Sequence, residues 1–284
     1  MSNSGLVSWY SIQEIFPGRQ KAGKQRTTTD MITQCFFSEL LSPEELIRIR
    51  RDTGCGLELI QFSVSENLDH FSDTMKKEKE LLARMDHPPV TIHGPFLDLN
   101  PMTFDSRIRQ IVLDRFAQAY EAAAELHAAR IIFHSGMIPT VYYLEGWAER
   151  MTAFWEDFLP GRREIAVCME NVLDREYEPF AEIAAALTDR FPNFGICLDI
   201  GHAHCYSSHP ETDWTSALKP YIRHLHLHDN DGTADGHQAL GTGTVQWETV
   251  MNAVRTQPQD ITMTVECNTC QDAQTSLRAI QKQL

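Results

Sequence analysis

Short apolar runs alternate with longer amphipathic stretches along this chain from Met31 to its end. Apolar runs of this kind between turn residues are typical of buried strands, whereas apolar positions spaced three or four apart predict helices. We predict eight strands, within the runs 31–37, 57–63, 88–95, 130–136, 164–171, 194–202, 222–230 and 261–267. Helices are predicted over 43–54, 74–85, 104–129, 145–158, 179–190 and 247–255, and a last helix includes Ser276.

The order of these elements predicts a parallel (β/α)8 barrel, the TIM-barrel fold. Eight strand–helix units in about 255 residues match that architecture. A doubly wound open sheet is the alternative, but the Gly-rich phosphate-binding turn of that fold is absent after the first strand. No linker interrupts the pattern, so we expect a single barrel domain over residues 30–284.

The first 29 residues have a different character from the rest of the chain. They contain the polar and basic run GRQKAGKQRTTTD and show no apolar periodicity. We expect residues 1–29 to form a flexible N-terminal extension without a role in the chemistry.

Composition narrows the classes of function. The formal net charge of −14 argues against nucleic acid as a partner, because binding a polyanion usually requires a basic surface. We see neither a membrane-spanning apolar run nor a signal peptide. Seven scattered cysteines, an odd number, suggest reduced thiols and a cytoplasmic location.

The predicted strands end on residues that can bind metal ions. In a barrel the carboxyl ends of all strands point to one central volume, where the active site is built. Histidine and carboxylate together form the usual ligand set for zinc, manganese or cobalt. A divalent metal site is therefore expected among the residues at these ends, namely His93, His134, Glu170, Asp199, His226 or His228, and Glu266.

Several ordered motifs resemble those of a known superfamily. They are EN at 170–171, LDIGH at 198–202, HLHD at 226–229, DGHQALGTG at 235–243 and VEC at 265–267. Together they resemble the xylose isomerase-like barrels, specifically the sugar phosphate isomerase/epimerase and endonuclease IV groups. The resemblance covers most of the chain after Met31 and leaves out the first 29 residues.

The resemblance implies two different ligand sets. In the epimerases one divalent ion would be held by the positions matching Glu170, Asp199, His226 and Glu266. Glu170 and Glu266 would also be the acid–base pair, and His202 would contact the substrate. In the endonuclease IV group three zinc ions are held by nine positions, and here these are His93, His134, Glu170, Asp199, His202, His226, Asp235, His237 and Glu266.

Three histidines alternate with leucines on the seventh predicted strand and so face the same side. The resemblance favours His226 as the ligand, and we expect His224 to be buried and hydrogen-bonded. His228 would contact the substrate or orient a ligand. Asn171 would touch the substrate, orient Glu170 or only cap a turn.

Our leading hypothesis is a metal-dependent sugar or sugar phosphate isomerase or epimerase. Glu170 and Glu266 would move protons to and from a metal-held enediolate. The alternatives are a zinc-dependent phosphodiesterase of the endonuclease IV kind, and a metal-dependent lyase or dehydratase. The expected cofactor is manganese, cobalt or zinc, with one to three ions. We expect a small carbohydrate as substrate, and a homodimer is possible.

Overall fold

The computed structural model describes residues 34–257 and 260–283. Eight parallel strands form a closed barrel in chain order, and the first strand pairs with the last. The predicted (β/α)8 barrel is therefore confirmed. The strands are β1 Cys35–Ser38, β2 Gly56–Leu59, β3 Val90–His93, β4 Arg130–His134, β5 Ala166–Glu170, β6 Phe194–Asp199, β7 Ile222–Leu227 and β8 Thr262–Val265.

Helices surround the barrel and connect successive strands. In chain order they are α1 Pro43–Thr53, α2 Ser65–Asp69, α3 Phe71–Arg84, α4 Ser106–Glu125, α5 Trp147–Phe158, α6 Glu178–Leu187, α7 Ile200–Tyr206, α8 Glu211–Leu218, α9 Trp247–Arg255 and α10 Cys270–Lys282. A 3₁₀ turn at Gln61–Ser63 precedes α2. No helix in the described ranges is both long and apolar enough to cross a lipid bilayer.

Some boundaries differ from those that the sequence predicts. The predicted second strand continues to residue 63, but β2 ends at Leu59 because Ile60 takes a helical backbone conformation and starts the 3₁₀ turn. The helix predicted over 104–129 is shorter at both ends, since α4 spans Ser106–Glu125. At its start the side chain of Asp105 caps the helix by accepting from two backbone N–H groups. Helices α2, α7 and α8 were not predicted.

Other predictions fall partly or wholly outside the described residues. Residues 31–33 of the first predicted strand lie there, as does the extension over residues 1–29.

The predicted start and end of α1 are confirmed. Ser42 and Glu45 form its capping box, and Gly54 ends it in the left-handed conformation with φ 72°.

The apolar core lies between the barrel wall and the helices. Phe116 on α4 stacks on Phe133 of β4 with ring centroids 4.1 Å apart, and Trp155 and Phe158 of α5 pack around the same ring. The inside of the barrel is more polar. The fully buried His224 contacts the hydroxyls of Thr262 and Thr264 at 2.6 and 3.0 Å, as expected of a satisfied histidine.

Candidate metal centre

The carboxyl ends of the strands bring together the residues that the sequence singled out. Four strands, β3 to β6, have as their last residues His93, His134, Glu170 and Asp199. His226 is the penultimate residue of β7, and Glu266 directly follows β8. The barrel geometry thus delivers six potential ligands to one volume, and three adjoining groups can be distinguished there.

The first group consists of His93, His134 and Glu170. The Nε2 atoms of the two imidazoles lie 3.1 Å apart. They are 3.5 and 3.7 Å from Oε2 of Glu170. The ring of Phe96 stacks on His134 at 4.3 Å and partly covers this group. Two imidazole nitrogens and a carboxylate oxygen that converge in this way are suited to bind one ion.

The second group is centred on Nδ1 of His226. Oε1 of Glu170 lies 3.2 Å from that nitrogen, and Oε1 of Glu266 lies 3.6 Å away. Oδ2 of Asp199 follows at 3.8 Å. All four side chains are buried. One imidazole and three carboxylates form a harder ligand set than the first group, and one that suits manganese or cobalt as well as zinc.

The third group consists of His202, Asp235 and His237. Both histidines place Nε2 at 3.3 Å from Oδ2 of Asp235. Asp235 and His237 lie on the loop between β7 and α9, not at a strand end. Asp229 braces this loop, because its carboxylate accepts from the backbone N–H groups of Asn230, Gly241 and Val245.

Glu170 connects the groups. Its Oε2 faces the first group, whereas its Oε1 faces His226 and lies 3.5 Å from Nδ1 of His202. That nitrogen is also 3.4 Å from Oδ2 of Asp199. The three groups therefore form one continuous cluster around a shared carboxylate.

Several buried polar atoms in this cluster have no hydrogen-bond partner among the described residues. They are Oε1 of Glu58, Oε2 of Glu170, Oδ2 of Asp199, both ring nitrogens of His226, Nδ1 of His228 and Oδ1 of Asp235. A buried polar atom without a partner is costly. Because imidazole nitrogens and carboxylate oxygens are the preferred ligands of zinc, manganese and cobalt, the residues fit divalent ions.

Burial and charge give Glu170 and His134 the protonation states that ligands need. Burial raises the pKa of Glu170, but the charges and hydrogen bonds of the surrounding histidines, led by His226, together hold that pKa well below its usual range. Burial lowers the pKa of His134 to about 3. Glu170 is thus ionised and His134 neutral, as metal binding requires.

The two histidines of the third group, unlike His134, are protonated in the absence of metal. Burial lowers the pKa of His202, but the charges of the carboxylates, led by Asp199, raise it to about 10. Burial also lowers the pKa of His237, but Asp235 and Glu266 raise it to about 9. A cation bound between these residues would replace the protons.

Sequence reasoning missed Glu58 on β2. This residue is fully buried, and its Oε1 lies 3.1 Å from Nε2 of His226. Its Oε2 accepts hydrogen bonds from the hydroxyls of Thr91 and Thr264. A glutamate between two leucines on an apolar strand is the signal, but the predicted strand extends to residue 63, which leaves Glu58 far from the predicted strand end.

Asn171 and His228 are buried and contact Asp199. The side-chain amide of Asn171 donates to the carbonyl of Asp199 and accepts from its N–H, both at 2.9 Å. Nε2 of His228 lies 3.1 Å from Oδ1 of the same residue. These contacts orient Asp199, the last residue of β6.

Two further histidines, His204 and His209, lie away from the cluster. Nδ1 of His204 is 3.0 Å from Glu211, and its Nε2 is 2.9 Å from the hydroxyl of Thr244. His209 contacts Glu176 at 2.8 Å. Because local partners hold both rings, neither histidine contributes to the three groups.

Residues 53–283 match the sequence model of the family described as "Xylose isomerase-like TIM barrel". A protein of Methanocaldococcus jannaschii is 26% identical over 69% of this chain and 70% of its own length. A protein of Mycobacterium leprae named "Probable endonuclease 4" is 24% identical over 70% of this chain and 81% of its own length.

Solved structures have the same fold. A D-tagatose 3-epimerase-like protein is 23% identical, with a TM-score of 0.69 over 88% of this chain and 96% of its own. A Thermus thermophilus protein, solved after soaking with ZnCl2, is 24% identical, with a TM-score of 0.68 over 88% of this chain and 97% of its own. At these identities the likeness concerns the fold alone.

Proposed function

This chain belongs to the xylose isomerase-like TIM barrel family, and we propose that it hydrolyses phosphoesters in small molecules with more than one divalent ion bound. The family includes both sugar epimerases and endonuclease IV. The choice between their reactions therefore depends on the residues of the site rather than on the family.

The observation that carries the proposal is the position of Glu170. One carboxylate oxygen faces His93 and His134, and the other faces His226. A glutamate in this position is suited to bridge two ions.

The charge of the cluster is compatible with several ions. Five buried or half-buried carboxylates lie in it, namely Glu58, Glu170, Asp199, Asp235 and Glu266. Without metal, the protonated rings of His202 and His237 offset part of this negative charge. Two divalent ions would balance most of it once those rings are neutral, which limits the cost of buried charge.

Divalent ions bound here would supply Lewis acidity toward phosphoryl oxygens and activate water near neutral pH. In the reaction, water adds to phosphorus, the bond from phosphorus to the leaving oxygen breaks, and that oxygen receives a proton. Glu58 and Asn171 would contribute by holding His226 and Asp199 in place. The barrel wall would exclude bulk water on the side of the site that faces the barrel interior.

The loops around the centre favour a small substrate over a nucleic acid. The segments that follow β3, β4 and β7, residues 94–105, 135–146 and 228–246, contain no lysine or arginine. Nucleic-acid phosphates are bound mainly by such side chains. Together with the net charge of −14, this favours a compact phosphoester over duplex DNA.

Hydrolysis of bis(p-nitrophenyl) phosphate by protein reconstituted with Zn²⁺, Mn²⁺ or Co²⁺ tests the proposal. Glu170→Gln should lower the rate at least about 100-fold, because a bridging ligand should matter at least as much as the groups that orient ligands. Glu80→Gln, on the exposed face of α3, should change nothing. Absence of hydrolysis with all three metals would overturn the proposal, and efficient incision of abasic-site duplex DNA at low salt would assign a nuclease instead.

A sugar isomerase or epimerase is the second candidate, and a specific contact favours it. Glu170 and Glu266 approach the same nitrogen of His226, so both flank one ion position as an acid–base pair would. Burial raises the pKa of Glu266, which would help it to hold a proton. Exchange of deuterium from D₂O into ketohexoses, followed by NMR, would identify this activity, and loss of water from the sugar would indicate the lyase or dehydratase.

A further inference from the structure

An apolar recess opens beside the first group of the metal centre. Its volume is about 340 Å³, and it lies between the loops that follow β3, β4 and β5. The apolar residues that line it include Phe96, Leu99, Met137, Ile138, Tyr142 and Leu173. A recess of this size can hold a ring-sized group.

The recess is continuous with the metal centre. His134 belongs to the first group, with Nε2 3.7 Å from Glu170, and it also lines the recess. The ring of Phe96, which also lines the recess, stacks on His134 and lies edge-on to His93 at 5.4 Å. A ligand held by the first group would therefore extend directly into the recess.

The side-chain amide of Asn100, which lines the recess, is already engaged. The side chain of Asn100 donates to the carbonyl of Gly136 at 2.7 Å and accepts from the N–H of Met102 at 2.7 Å. Asp98 is the one charged side chain that lines the recess among the described residues, apart from the titratable His134. A charged or strongly hydrated group would find no cationic partner there.

The adjacent helix α5 does not supply a cationic partner either. Arg150 of α5 stacks over Phe104 at 4.9 Å, and its guanidinium donates to the carbonyl of Glu145. The rim beyond the recess is apolar as well, since Leu97 is 53% exposed and Val141 is 60% exposed. Apolar side chains exposed beside a recess are a common feature of binding sites.

We propose that this recess binds an aryl or similarly flat apolar substituent of the substrate. The proposal rests on the proposed function, since the phosphoester beside that substituent would be held at His93, His134 and Glu170. The substrate class is then an aryl phosphoester, and a bare sugar phosphate would lack the group that the recess accepts.

Calorimetry on the metal-loaded protein tests this without relying on turnover. Phenylphosphonate should bind at least about tenfold more tightly than methylphosphonate, because the ring leaves water for the recess. If the site instead takes sugars, phenyl β-D-glucoside should show the same advantage over methyl β-D-glucoside. Ile138→Asp should reduce either preference to less than about threefold, because it places a charge in the apolar recess. Ile108→Asp is the matched control and should retain the preference. Ile138 and Ile108 are 44% and 45% exposed, and Ile108 lies on α4 away from the recess.

The outcomes separate this proposal from the proposed function. Equal binding of phenyl and methyl probes, or no binding of either phenyl probe, overturns the recess assignment even if bis(p-nitrophenyl) phosphate is hydrolysed. A phenyl preference without hydrolysis supports the recess and rejects only the reaction. If Ile138→Asp dissociates a dimer and leaves the phenyl preference intact, the recess belongs to a contact between copies and the proposal fails.

Discussion

Oε1 of Glu58 lies 3.1 Å from Nε2 of His226, on the side of the ring opposite the other carboxylates. With an ion at Nδ1, which faces Glu170, Asp199 and Glu266, the ring would keep its hydrogen on Nε2, the nitrogen that faces Glu58. Glu58 itself is fixed by the hydroxyl of Thr264 at 2.7 Å. A carboxylate on β2 therefore orients a ligand on β7.

Replacement of Glu58 by glutamine should weaken metal binding about 10- to 100-fold, the range typical for groups that orient ligand histidines. Titration of the metal-free protein with Mn²⁺ or Zn²⁺ would measure this. Glu78→Gln also alters a buried glutamate, but away from the centre, and should leave the affinity unchanged. Equal affinities of wild type and Glu58→Gln would show that the contact has no orienting role.

Metal content should depend separately on each group. His134→Ala should remove one ion by disrupting the first group, and His237→Ala should remove one by disrupting the third. Glu170→Gln should lower the content most, since its carboxylate faces two groups. Native mass spectrometry would count the ions, and a wild-type protein that holds one ion at metal excess would contradict the three-group arrangement.

Metal binding should release protons near neutral pH. The pKa values of about 10 for His202 and about 9 for His237 lie above pH 7, so both rings are protonated until an ion displaces the protons. Affinity should therefore rise as pH increases from 7 to 9. Calorimetry in buffers of different ionisation enthalpy would count the protons.

Two histidine variants test whether the protons come from the third group. His237→Ala should release fewer protons than wild type. His134→Ala should release the same total number, because His134, with a pKa of about 3, is already neutral and has no proton to release. If the metal affinity of the wild-type protein did not change with pH, proton release on metal binding would be contradicted.

A pair of buried glutamates outside the centre should make stability fall as pH rises. Burial raises the pKa of Glu39 to about 7 and that of Glu78 to about 8, from 4.5. Between pH 4.5 and 8 the unfolded chain therefore binds fewer protons than the folded protein, so the free energy of unfolding decreases through this window. Glu78→Gln should recover on the order of 2 kcal/mol at pH 8.

Urea unfolding of the metal-free protein at pH 5 and pH 8.5 would measure that difference. Glu80→Gln, two residues further along α3 and exposed, is the matched control. If wild type and Glu78→Gln lose the same stability between the two pH values, the buried pair does not control the dependence.

Much of the barrel was predictable because its strands are buried on both faces. β4, β5 and β6 are short apolar runs that end in one polar residue, a pattern that identifies both the strand and its functional end. β2 was harder to delimit, because Ile60 and Phe62 continue the apolar pattern although the backbone has already turned into a 3₁₀ segment. Local apolarity cannot distinguish these two outcomes.

The convergence of the candidate ligands was predictable for the same reason, whereas their surroundings were not. His93 and Asp199 could be placed together because strand ends converge in a barrel. The contact between Glu58 and His226 joins strands far apart in sequence and depends on which strand residues face the barrel interior. The recess at Phe96 depends on how three loops pack together, and no pattern within a single segment encodes that.

The bracing of the β7–α9 loop by Asp229 has an evolutionary consequence. Asp235 and His237 are contributed by this loop, whereas the other ligands, apart from His202 on α7, are anchored to strands that also hold the barrel together. Exchange of the loop would thus change the number of bound ions without altering the strands of the barrel. The number of ions would then be a property of this one loop, and mutations confined to it would shift the same barrel between single-ion and multi-ion chemistry.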